Sequence, residues 1–69
     1  MTPRLFKLAT LIYLRRAAIK HPTLRPYVHQ ARHIVHSNPP DLKAALLSIK
    51  PTSFTTSHLW IHTIFKLFH

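Results

Sequence analysis

Glutamate, glycine and cysteine are all missing from this chain, and aspartate occurs once, as Asp41. Without cysteine there can be no disulfide and no thiolate zinc site. Without glycine there is no phosphate-cradling loop and no dinucleotide fingerprint, so turns fall to proline, asparagine and serine. A single carboxylate excludes any paired-acid mechanism and leaves at most one acid for a Ser-His-Asp set. The shortage has a common thread: Gly, Glu, Asp, Val and Ala all use codons beginning with G, and only six alanines, Val28, Val35 and Asp41 represent them. A G-poor coding strand, as in some organelle genomes, a recently arisen gene, and selection for positive charge all produce that bias.

What is abundant is cation. Ten Lys and Arg face the one acid, a formal charge of +9 on 69 residues. Such a fold repels itself and is most comfortable where RNA, DNA or anionic lipid supplies the missing negative charge. At 46% hydrophobic it is too apolar for a disordered basic tail. A chain of this size closes a core worth only about 3–5 kcal/mol, so assembly with partners is the expected source of further stability.

Pro22, Pro26, the Pro39–Pro40 pair and Pro51 divide the chain into segments that otherwise read as helix. The expected fold is all-α: three to four short helices in one unit, forming a small open bundle or extended hairpins completed by partners. The first helix spans about residues 3–20, with Thr2 as N-cap and Pro3 at its first position. It is apolar nearly all round, the mark of a helix buried in protein or lipid. Lys7 and the Arg15–Arg16 pair leave only Leu8 to Leu14 free of charge, far short of the roughly 20 residues of a membrane span. Arg-rich and acid-free, it also resembles an organelle transit peptide; read as an address that is not removed, it would direct the chain to a mitochondrion.

A second helix, about residues 24–37 with Thr23 as N-cap, carries one apolar stripe: Leu24, Tyr27, Val28, Ala31, Ile34 and Val35. Arg25, His29, Arg32, His33 and His36 fill its other face. The third spans about residues 39–49, with Asn38 as N-cap and Asp41 in the first turn, where the helix dipole favours an anion. The fourth, about residues 53–68 and capped by Thr52 or Ser53, packs Trp60, Ile61, Ile64, Phe65 and Phe68 on one side. His58, His62, Lys66 and His69 mark the other, and the β-prone Phe54-Thr55-Thr56 run weakens its first turn.

His29, His33 and His36, and the His58/His62 pair, have spacings that can chelate zinc or copper. Nothing is left to complete such a site, and Arg25 and Arg32 oppose a divalent cation, so no metal and no cofactor are expected. No catalytic residue is assigned. Arg4, Lys7, Arg15, Arg16, Lys20, Arg25 and Arg32 are the candidate phosphate contacts. Tyr13, Tyr27, Trp60 and Phe68 are candidates for stacking on exposed bases, and Tyr27, Trp60, Ile64, Phe65 and Phe68 for a protein or lipid interface.

The stretch Ile12-Tyr13-Leu14-Arg15, followed by Arg25-Pro26-Tyr27-Val28 and Arg32-His33-Ile34, resembles the LYR-motif family of small mitochondrial helical proteins. Leu14 separates Tyr13 from Arg15 where that family has Leu-Tyr-Arg, so no acyl-carrier or iron–sulfur role is carried over. The expectation is a structural, non-catalytic subunit of a large mitochondrial assembly, foremost an rRNA-binding ribosomal protein among neighbouring subunits, and not an independent homo-oligomer. The alternative is a supernumerary subunit of an inner-membrane respiratory complex or ATP synthase, with cationic residues at anionic headgroups and Trp60 and the Phe residues at the acyl boundary.

Overall fold

A computed structural model describes residues 2–69 as an all-α bundle: α1 (Pro3–Lys20), a 3-10 turn (Pro22–Leu24), α2 (Arg25–His36), α3 (Leu42–Leu47) and α4 (Phe54–Leu67). The radius of gyration is 11.3 Å, against about 11 Å for a compact domain of this length, so the helices close on one another instead of lying as extended hairpins. One cluster forms the core. Leu14 comes from α1, Leu24 from the 3-10 turn, Ala31 and Val35 from α2, Leu46 from α3, Ile49 from the following loop, and Trp60 and Ile64 from α4.

Local chemistry explains the ends of α1 and α4. The Thr2 hydroxyl accepts from the Leu5 amide at 3.2 Å, and Pro3 occupies the first position, where a missing N–H costs nothing. Ser53 caps α4 by accepting from the Thr56 amide at 3.4 Å, and the β-prone Phe54-Thr55-Thr56 run is helical behind it.

Two expected caps are corrected. Thr23 does not cap α2, because it lies inside the 3-10 turn, which feeds directly into the helix with Leu24 already in a right-handed helical conformation. Nor does α3 begin at Pro39. Asn38 adopts φ 53°, the left-handed conformation that terminates a helix, and so closes α2 instead of opening α3. Asparagine tolerates that geometry better than other residues bearing a Cβ, and here it takes the place of the absent glycine. Pro39 is then held out of the helix by Pro40 after it. Asp41 itself becomes the N-cap, its Oδ1 accepting from the Ala44 amide at 3.0 Å, so the only acid of the chain serves local helix chemistry.

α3 has just six residues, too short to persist alone. It is held from the side: the Trp60 indole Nε1 donates at 3.0 Å to the Leu46 carbonyl, which also accepts from the Ile49 amide at 3.3 Å. α4 lies antiparallel to α1. Phe68 meets Phe6 with ring centroids 6.3 Å apart, and further along the Tyr13 hydroxyl donates to the Thr63 carbonyl at 2.9 Å. Thr10 and Thr63 are buried yet satisfied, each hydroxyl donating back one turn, to Phe6 and Leu59 at 2.8 Å.

Burial raises the Tyr13 phenol above the ordinary value of 10.0. The folded state thus holds this proton more tightly than the unfolded chain. Its contribution is intact below that ordinary value and is lost as pH rises through the folded one. Tyr13→Phe is expected to cost about 1 kcal/mol at neutral pH, for the lost hydrogen bond. It should also lessen the alkaline loss of stability. Urea midpoints between about pH 8 and 11 check this, and parallel curves for the two proteins would refute it.

Candidate cationic grooves

The stripe expected on α2 is what packs inward: Leu24, Ala31 and Val35 are buried, and Tyr27, Val28 and Ile34 half-buried. Arg25, His29, Arg32, His33 and His36 on its other face are therefore exposed, and four of them turn toward α1. Between the two helices lies an open groove of about 880 Å³. Leu8, Leu11, Ile12, Ala18 and Val28 contribute its apolar surface, while Arg15, Arg25 and Arg32 supply cations and His29 and His36 add polar imidazoles.

A second, smaller cleft of about 460 Å³ separates α1 from α4. Arg16, Lys20, His21, His62 and Lys66 line it, with Tyr13 and Thr63. Lys20 and Lys66 also sit in the last turns of their helices, where the dipole favours positive charge.

The fold therefore sorts the seven candidate phosphate contacts. Arg15, Arg25 and Arg32 share the first groove, Arg16 and Lys20 the second, and Arg4 and Lys7 lie toward the start of α1 in neither. Lys66, His21 and His62 belong to the second set and were not singled out as phosphate contacts from sequence. The spacing of Lys66 and His62, i and i+4, was the available signal; what brings them to Arg16 and Lys20 is the antiparallel pairing of α1 with α4.

The aromatic and apolar candidates need more correction. Trp60 and Ile64 are 0% exposed and belong to this chain's own core. Trp60 can neither stack on a base nor reach an acyl boundary. Tyr27 and Phe68 are half-buried against that core, leaving Phe65, 50% exposed, as the one of the five on the open surface. The Lys43 ammonium sits 4.7 Å from the centroid of the Phe65 ring. α4 buries Trp60, Thr63 and Ile64, with Leu67 half-buried on the same stripe, and this turns Ile61 and Phe65 outward.

Nor is α1 buried all round. Leu14 and Thr10 face the core, while Leu5, Leu8, Ile12 and Ile19 are 48–74% exposed. At 100° per residue those four fall within a sector of about 60°, nearly opposite Leu14. The 5, 8, 12, 19 spacing is a heptad seam, and it is the signal that a count of apolar residues around the helix overlooks.

Among the described residues no three histidine or acidic side chains come together as a metal-binding group; His29 and His33 meet edge to face with ring centroids 5.2 Å apart. No described helix is long and apolar enough to cross a membrane. The resemblance to the LYR-motif family rests on the quoted residues alone, because comparison with known proteins finds no matching family model, no matching curated protein and no matching solved structure.

Proposed function

We infer that this chain is a structural, non-catalytic RNA-binding subunit of a large assembly, foremost a mitochondrial ribosome. The observation that carries the reading is the convergence of Arg16, Lys20 and Lys66, with His21 and His62, on one cleft in a protein of charge +9. Mutual repulsion disfavours such a cluster unless an anion lies against it, and phosphate oxygens are the acceptors that Lys and Arg match best. Tyr13 lines the cleft with its hydroxyl tied to Thr63 and its ring half-buried against the core, so affinity here comes mainly from phosphate and carries little sequence preference. The one side-chain carboxylate caps α3, which leaves none for a mechanism that needs an acidic residue.

The exposed seam of α1 favours a second reading, a supernumerary subunit of an inner-membrane complex. In that case Leu5, Leu8, Ile12 and Ile19 would lie at the lipid boundary, with Arg15 and Arg16 near headgroups. Co-sedimentation of the tagged protein from detergent-solubilised mitochondria, with and without RNase, separates the two. Release from ribosomal particles by RNase is the expected result. Retention on a membrane complex despite RNase would overturn the RNA reading and leave the second.

A further inference from the structure

The α1/α2 groove differs in kind from the α1/α4 cleft. Its surface is apolar on the α1 side and continuous with an exposed seam, since Leu8 and Ile12 belong to both. Its polar edge is ordered: Arg25, His29, Arg32 and His36 follow one another at i, i+4, i+7 and i+11 on α2, with the cation of Arg15 rising from α1 beside those of Arg25 and Arg32. Phosphate alone would leave the apolar surface wet. Whatever covers this groove has an apolar ridge and negative charge beside it.

We propose that the α1/α2 groove is the docking site for an acidic amphipathic helix of a partner protein. The occupant carries apolar residues at i, i+3, i+7 spacing against Leu5, Leu8, Ile12 and Ile19, and Asp or Glu on the flank that meets Arg15, Arg25 and Arg32. From Leu5 to Ile19 the seam runs about 21 Å, so the matching segment is roughly four turns long. Charge decides among occupants. A second copy of this chain brings +9 and a single aspartate, already used as a cap, so it cannot complement the three arginines. A planar bilayer could meet the α1 seam but would leave the groove beside it, lined by Leu11, Ala18 and Val28, uncovered. Arg15 falls at the heptad position between Ile12 and Ile19, where a facing carboxylate on a helix pairs with it.

The test uses two synthetic helical peptides sharing a Leu/Ile heptad seam, one flanked by Glu and one by Gln, and a scrambled Glu peptide of the same composition. Fluorescence anisotropy against the full chain should show the Glu-flanked helix binding at least about tenfold more tightly than either control. Arg15→Gln/Arg25→Gln/Arg32→Gln and, separately, Leu8→Ser/Ile12→Ser should each weaken it at least about tenfold. Leu8 and Ile12 are both about half exposed, so these variants should retain helical circular dichroism, which is measured alongside. Arg16→Gln/Lys20→Gln/Lys66→Gln should leave peptide binding within about twofold. Equal binding of the scrambled peptide, or insensitivity to the groove variants, would overturn the proposal by reducing the effect to bulk charge. So would vesicles of anionic phospholipid that bind through Leu8 and Ile12 when the peptide does not, or RNA affinity that falls with the Arg15/Arg25/Arg32 variant as far as peptide affinity does. Because the RNA reading rests on the other cleft, loss of either binding event leaves the other readable.

Discussion

Trp60→Ala is expected to abolish the cooperative unfolding transition. The side chain is the largest in the core, is 0% exposed, and donates through its indole N–H to the end of α3. Truncating a buried tryptophan costs about 3–5 kcal/mol in lost transfer energy and residual cavity. That is the whole net stability expected of a single core this small, about 3–5 kcal/mol. α3 is the first element to go, since six residues capped by Asp41 do not hold a helix without a surface to lie on. Ile49 and Pro51, both buried just beyond it, would lose their packing with it. Trp60→Phe keeps the aromatic volume in large part and removes only the donor, so it should retain a transition at a lower midpoint. Urea melts followed by circular dichroism at 222 nm check both. A Trp60→Ala protein with the wild-type midpoint would mean that α3 and α4 are held by something other than this residue.

The position of Trp60 also shows where the sequence could be read and where it could not. Helix α1 was legible to its last residue, because Thr2, Pro3 and the break at His21–Pro22 act through atoms a few positions apart. The same holds for the α2 stripe, where apolar and cationic residues separate cleanly by angle. α3 was misplaced because two local rules competed. Asn38 is a good N-cap and also a good left-handed terminator, and only the packed chain selects the second role. For α1 and α4 the difficulty is of another sort. Each is apolar on more than one side, so the pattern says that apolar surface exists without saying which part this chain covers. Trp60 and Ile64 went inward, and Leu5, Leu8, Ile12 and Ile19 stayed outside. The cations were all visible in sequence; their division into two grooves was not, because it depends on which helix faces α1 on each side. Arg15 and Arg16 are neighbours in the chain yet point to different grooves, 100° apart around the same helix.

Binding to RNA is expected to fall steeply with salt, and the slope identifies the cleft. Each phosphate neutralised on a single strand releases counterion and contributes about −0.7 to the slope of log K against log salt. Removing Arg16, Lys20 and Lys66 together as glutamines should therefore flatten the slope by about 2 and weaken binding by one to two orders of magnitude at about 0.1 M salt. An equal loss of charge elsewhere is the control. Arg4→Gln/Lys43→Gln/Lys50→Gln also lowers the formal charge from +9 to +6, and none of those three lines the α1/α4 cleft. If binding depends on that cleft, the control triple changes the slope by well under half as much, because distant exposed charges are screened beyond about 10 Å at 0.1 M salt. Filter binding to a single-stranded RNA across a salt series measures both slopes. Identical losses from the two triples would show that the protein adheres through its overall charge and that the cleft is no site. An unchanged slope in both would remove RNA as the counter-charge, and with it the reason for Arg16, Lys20 and Lys66 to gather between α1 and α4.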